Sequence, residues 1–154
     1  MKTSENRVFS NPNYHLYYIA ESNVLIVEGY GNIKLETTQE AWLKVLDIAL
    51  EHKTTKWVHD QSKVELQHHQ ASNWWEKEWF PLAGQRLRYP GKRLTATILP
   101  SRFYAEMSSK QTISKTLQFD AVVGEQNKYL EHLYFKTFEE AYNWLVEHPE
   151  TVNS

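Results

Sequence analysis

The residues best suited to chemistry cluster between Lys56 and Phe80, in the run KWVHDQSKVELQHHQASNWWEKEWF. His59, Asp60 and His68 supply imidazole and carboxylate, the donor set of zinc and other transition metals. Their spacing argues against a shared ion. His59 and Asp60 are neighbours in a strand-like run, so their side chains point to opposite faces. His68-His69 has no i, i+4 partner of the His-Glu-x-x-His kind. Without a metal, Asp60 is expected to accept hydrogen bonds from loop amides, with the histidines solvated. A second group follows Pro100: Ser101 and Arg102, at the expected start of a helix, offer backbone N–H groups and a guanidinium to an anion. The plainer reading there is a serine N-cap beside a surface arginine. Ser62, Ser101 and Ser108 are potential nucleophiles, but no Gly-x-Ser-x-Gly elbow presents any of them. No catalytic residue and no cofactor is therefore expected.

The tryptophans of the same run are the other conspicuous feature. Trp74 and Trp75 differ by about 100° around a helix, so Trp74, Trp75 and Trp79 cannot share one face. Trp75 and Trp79 suit a core. Trp74, with Phe80 or Tyr89, suits either an apolar ligand groove or a subunit interface, where aromatic side chains concentrate. Tyr30, set between Gly29 and Gly31, is expected on the same surface.

Composition narrows the classes of function. The chain has 154 residues, a net charge of −2 and no cysteine. Its length suits one domain with a substantial core. The absence of cysteine rules out disulfides, thiolate metal sites and thiol nucleophiles. The nearest approach to a basic cluster, Arg86 and Arg88 to Lys92 and Arg93, is interrupted by Tyr89-Pro90-Gly91, which argues against a nucleic-acid phosphate binder. The opening MKTSENRVFSNPN has no apolar centre and does not read as a signal peptide. No apolar run approaches the roughly 20 residues of a membrane span. A cytoplasmic protein is the expectation.

The elements that must position these residues alternate along the chain. Residues 1–13 read as a loose arm, 14–148 as one domain and 149–154 as a tail. Tyr14–Ala20 and Val24–Glu28 form a β-hairpin pattern, the second run broken by Gly29 and Gly31. Thr37-Thr-Gln-Glu40 has capping-box spacing ahead of the stripe Trp42, Val45, Leu46 and Ala49. A central strand at Lys56–Asp60 leads through a polar loop to a second helix, capped by Ser72 or Asn73 and ended or kinked by Pro81. Arg93–Leu99 is a strand, Ser101 opens a third helix, Phe119–Val123 is a short strand and Tyr129–Phe135 a better one. Thr137-Phe-Glu-Glu140 caps the last helix. Helices alternating with strands after a hairpin predict an α/β fold, with a mostly parallel mixed sheet opened by the antiparallel hairpin and flanking helices. Ligands of such sheets collect beyond the strands' C-terminal ends, near Asp60 and Leu99.

Over about residues 14–147 the chain resembles small bacterial proteins of the STAS/SpoIIAA-like, or STAS/SEC14-like, family. The landmarks are Glu28-Gly29-Tyr30-Gly31, Trp57-Val-His-Asp60, Trp74 or Trp75 early in the next helix, Leu94-Thr-Ala-Thr-Ile-Leu-Pro100 and Phe138-Glu-Glu-Ala141 with Trp144-Leu145. In anti-sigma-factor antagonists the corresponding loop carries a phosphorylatable serine. Here Asp60-Gln-Ser62-Lys-Val64 matches the first half of that pattern, while His68-His69-Gln70-Ala71 stands where the acceptor would be. The resemblance implies a single SpoIIAA-like domain that binds rather than catalyses. The first expectation is a regulatory or protein-interaction module acting as a homodimer or on a protein partner. The alternative is a binder of a small apolar or anionic molecule or a lipid, in an aromatic-lined pocket near Asp60, Trp74 and Arg102. A hydrolase or metal-dependent enzyme comes third.

Overall fold

The computed structural model describes residues 1–87, 93–100 and 130–147. Its centre is a six-stranded sheet in sequential order: β1 (Arg7–Ser10), β2 (Tyr14–Ile19), β3 (Val24–Ile33), β4 (Lys56–Gln67), β5 (Arg93–Ile98) and β6 (Leu130–Phe135). β1, β2 and β3 pair antiparallel, and β3 to β6 run parallel. This is the mixed sheet expected from a hairpin followed by helical crossovers.

The helices are α1 (Leu35–His52), α2 (His69–Trp74), a π-helical turn (Trp75–Trp79), α3 (Phe80–Arg86) and α4 (Phe138–Glu147). α1 and the α2–π–α3 segment cover one face of the sheet. There Trp42, Val45 and Leu46 pack with Leu25, Val27, Trp57, Trp79 and Phe80. α4 covers the other face, where Ala141 and Leu145 meet Ile26, Val58, Ala96 and Ile98. With both faces covered, Val24–Val27 is apolar throughout and buried. None of the helices among the described residues is long and apolar enough to cross a membrane.

Several local expectations are corrected. The N-terminal arm is not loose: Arg7–Ser10 forms an edge strand on β2, with Arg7 opposite Tyr17 and Phe9 opposite Leu16. Four mostly exposed edge residues carry no apolar alternation to reveal them. β3 does not stop at Gly29 but continues to Ile33, with Gly31 at φ +73°. β4 likewise runs past Asp60 to Gln67, pairing with this extension. β5 ends opposite Asp60, so residues 61–67 form a largely exposed ribbon with no buried face to impose a two-residue period.

Thr37 does not cap α1. The helix begins earlier, after Lys34, because Asn13 organises its start: Asn13 Oδ1 accepts from Thr37 Oγ1 at 2.6 Å and from Lys34 N at 3.4 Å. Asn13 Nδ2 donates to the carbonyls of Tyr30 and Asn32. Ser72 and Asn73 are not caps either, since α2 starts after His68. Pro81 does not end the helix. The proline ring would clash with the carbonyl four residues back, but the Phe80 N–H bonds Trp75 O in an i→i+5 turn that widens the backbone just there. The final cap does form, with Glu140 N donating to Thr137 Oγ1 at 3.2 Å. The helix expected from Ser101, the strand expected at Phe119–Val123 and the tail at 149–154 lie outside the described residues.

Candidate functional site

Strand alternation on β4 separates two groups of polar residues. Trp57 and His59 face α1 and the π turn, whereas Val58 and Asp60 face α4. On the first face, α1 brings Trp42 against His59, with ring centroids 4.9 Å apart. The π turn brings Trp75 and Trp79 into a stack 5.3 Å apart, and Trp42 meets both edge-on at 5.5 and 4.8 Å. The indole N–H of Trp79 donates to Trp42 O at 2.6 Å, and that of Trp57 to Thr54 O at 3.0 Å. The indole N–H of Trp75 is buried and meets no acceptor among the described residues.

A cavity of about 50 Å³ lies under this cluster, walled by the indoles, Phe80 and His59 and, across β5 and β6, by Arg93, Thr95, Thr97 and His132. Thr97 Oγ1 and His132 Nε2 are hydrogen-bonded at 2.6 Å. Burial pushes His59 down to about 3, helped by the neighbouring His132 and opposed by Asp60. Burial likewise pushes His132 down to about 4. Both imidazoles are neutral at pH 7, able to donate at one nitrogen and accept at the other.

On the opposite face, Glu28 and Asp60 stand side by side in register, both buried. Lys2 bridges them, its ammonium donating to Glu28 at 2.9 Å and to Asp60. Asp60 also accepts from Ser62 N and Oγ at 2.9 and 2.6 Å. Burial raises the Asp60 carboxyl, but the hydrogen bonds from Lys2 and Ser62 outweigh it and hold the group below the usual carboxylate range. For Lys2, burial pulls downward and the two carboxylates more than compensate, leaving it above its ordinary value. Tyr30 belongs to this network. Its hydroxyl donates to Asn11 O at 3.2 Å and so accepts from His15 Nε2 at 2.7 Å, while His15 Nδ1 lies 3.7 Å from Glu28.

Of the residues singled out by sequence, Tyr30 and Asp60 therefore meet through His15, Glu28 and Lys2. Trp74 lies on the other face, half-buried against the α1-side core. His59 and Asp60 point apart, and His68 stands at the far end of the β4 ribbon. Among the described residues no three His, Asp or Glu side chains are grouped to hold a metal ion. Ser101 and Arg102 lie outside the described residues. The cavity residues Trp42, Trp57, Arg93, Thr95, Thr97 and His132 were not singled out. Their signal is present in β5, where Arg93, Thr95 and Thr97 place polar groups at every second position of an otherwise buried strand.

Comparison with known proteins identifies the architecture. A crystal structure of an uncharacterised protein of the DUF3478 family with a SpoIIAA-like fold, from Shewanella loihica PV-4, superposes with a TM-score of 0.54. The match covers 90% of this chain and 98% of that one. The fold is SpoIIAA-like. At 14% identity the likeness speaks for the fold alone. No family model and no curated protein matches the sequence.

Proposed function

We propose that this SpoIIAA-like domain is a non-catalytic binding protein whose ligand is a small molecule seated in the aromatic cavity between the sheet and the α2–π–α3 segment. One observation carries the reading: a cavity walled by aromatic rings, among them Trp75, whose buried indole N–H meets no acceptor among the described residues. An orphaned buried donor costs about 1–3 kcal/mol. A π-helical turn placing that donor fits the reading, since such turns gather at functional sites. The cavity is far below the roughly 300 Å³ of a pocket for a drug-sized molecule. The occupant is accordingly a compact molecule, or the head group of a longer one.

A protein-interaction module would need a contiguous apolar patch of several hundred Å². Among the described residues the exposed large apolar side chains Met1, Val8, Leu43, Leu50, Leu66, Leu133 and Val146 are spread over the N-terminal segment, β1, α1, β4, β6 and α4, and no observation favours that reading over the cavity.

The test is native mass spectrometry of the purified chain beside a Val27→Phe variant that fills the cavity. Extra mass on the wild type that denaturation releases, and that the variant lacks, supports the proposal. A bare wild-type mass, together with a fragment screen that shifts no resonance of a cavity residue, overturns it.

A further inference from the structure

The residues ahead of β1 are fastened to the sheet at one point. Their backbone closes on itself: the N–H groups of Asn6 and Arg7 donate to Thr3 O, both at 3.1 Å, and Asn6 Nδ2 donates to Met1 O at 3.0 Å. Met1, Thr3, Ser4 and Glu5 are exposed, and Lys2 alone of the five is half-buried. Beyond that local turn, the hydrogen bonds tying Met1–Glu5 to the other described residues are those of the Lys2 ammonium to Glu28 and Asp60. The ring of Phe138 lies 4.7 Å from the same ammonium, a cation–π contact that completes its seat.

The seat lies where an open α/β sheet receives ligands. β5 ends with Ile98 opposite Asp60, and Asp60 stands beside Glu28 of β3. The two carboxylates therefore mark the C-terminal edge of the parallel strands. Their charges are not balanced alike. Glu28 keeps Lys63 at 3.6 Å and His15 at 3.7 Å, whereas Lys2 is the one cation paired with Asp60 among the described residues. A buried carboxylate stripped of its cation is costly, so a departing Lys2 has to be replaced. Two carboxylate acceptors beside a ring face suit a primary ammonium, the group already there.

We infer that Met1–Glu5 is an internal latch: the Lys2 ammonium fills a seat for primary ammonium ions, and an outside amine that takes its place frees the segment while the sheet stays folded. The claim is independent of the cavity on the opposite face. The full-length protein is titrated with ethylammonium chloride and followed by ¹H–¹⁵N NMR. Tetramethylammonium chloride at equal ionic strength is the control, since it screens charge alike but has no N–H to donate. The amides of Thr3–Glu5 report the latch. The amide of Ser62, which donates to Asp60 at 2.9 Å, reports the seat.

Ethylammonium should move the Thr3–Glu5 amides to random-coil positions while those of β2 and β3 stay in place, and tetramethylammonium should not. In Lys2→Ala the Thr3–Glu5 amides should be random-coil from the outset. The Ser62 amide should then follow ethylammonium with a midpoint lower by about tenfold or more, because no tethered ammonium competes for the seat. Should Lys2→Ala fold only when amine is added, recovery of its strand resonances in ethylammonium but not in tetramethylammonium supports the seat, and no recovery in either overturns it. Native Thr3–Glu5 positions in folded Lys2→Ala overturn the latch. Equal effects of the two salts, or a wild type that is silent up to the concentration at which the sheet itself unfolds, overturn the exchange.

Discussion

Replacing Lys2 by methionine tests whether the N-terminal residues are part of the folded unit. The substitution keeps the aliphatic stem and removes the ammonium that bridges Glu28 and Asp60, whose side chains are 5% and 4% exposed. Taking one partner from a buried ion pair costs about 3–5 kcal/mol, because the other charge is left uncompensated. Two features reduce this. Lys2 is itself 23% exposed, and Lys63 remains 3.6 Å from Glu28. The expected loss is about 2–3 kcal/mol, or about 5–10 °C in Tm for a chain of this size. The pH dependence carries a sign. Asp60 is depressed in the fold, so its contribution is present above the unfolded value near 4 and is lost as pH falls through the folded value. Lys2 is raised, so its contribution is present below its unfolded value near 10.4 and is lost as pH rises through the folded one. The gap between wild type and Lys2→Met should therefore be widest from about pH 5 to 9 and should close below about pH 4. Urea unfolding across that range measures it. A double-mutant cycle with Asp60→Asn should give a coupling of at least about 1 kcal/mol. Equal midpoints at pH 7, or a gap that persists undiminished at pH 3, would refute the argument.

Three other outcomes are expected. His59 and His132 are held at about 3 and about 4, so protonation below the unfolded value near 6.5 favours unfolding; His132→Gln should flatten the acid slope of stability between about pH 6 and 4 by up to about 1.4 kcal/mol per pH unit, measured by denaturant titration. Trp79→Phe removes the bond to Trp42 O and part of a buried ring, and should lower unfolding free energy by about 1–3 kcal/mol, read from the urea midpoint. Gly31→Ala places a Cβ where the nearest atom, Asn13 Nδ2, is 3.9 Å away, but at φ +73°; the cost should be conformational alone, about 1–2 kcal/mol, and Gly31→Asn should recover part of it in calorimetry.

The architecture was legible wherever burial imposes a period. Two-sided burial wrote Val24–Val27 as an unbroken apolar run, and one-sided burial wrote Trp42, Val45, Leu46 and Ala49 as a helical stripe. Where a strand leaves the core the signal fades: β4 beyond Asp60 is largely exposed and reads as a loop, though it pairs with β3 as far as Gln67. Caps supplied from a distance were invisible for a different reason. Asn13 organises the start of α1 across more than twenty residues, and local spacing at Thr37-Thr-Gln-Glu40 imitates a cap that tertiary contact overrides.

The site was half legible for a related reason. Reading His59 and Asp60 as opposed across the sheet follows from strand alternation alone, and it divides the chemistry of the protein into two layers. Asp60 faces α4 and is taken up by Lys2 and Ser62. His59 faces the cavity, whose far wall comes from β5 and β6. What the sequence conceals is the partner of each. Lys2 reaches Asp60 across 58 residues and His132 reaches Thr97 across 35, and no local spacing reports such contacts. The consequence is an asymmetry between the layers. The clamp of Lys2, Glu28 and Asp60 has its charges paired and holds the N-terminal segment to the sheet. The aromatic layer retains a buried indole N–H with no acceptor among the described residues. The cavity and this donor lie together on the side of the sheet away from the clamp.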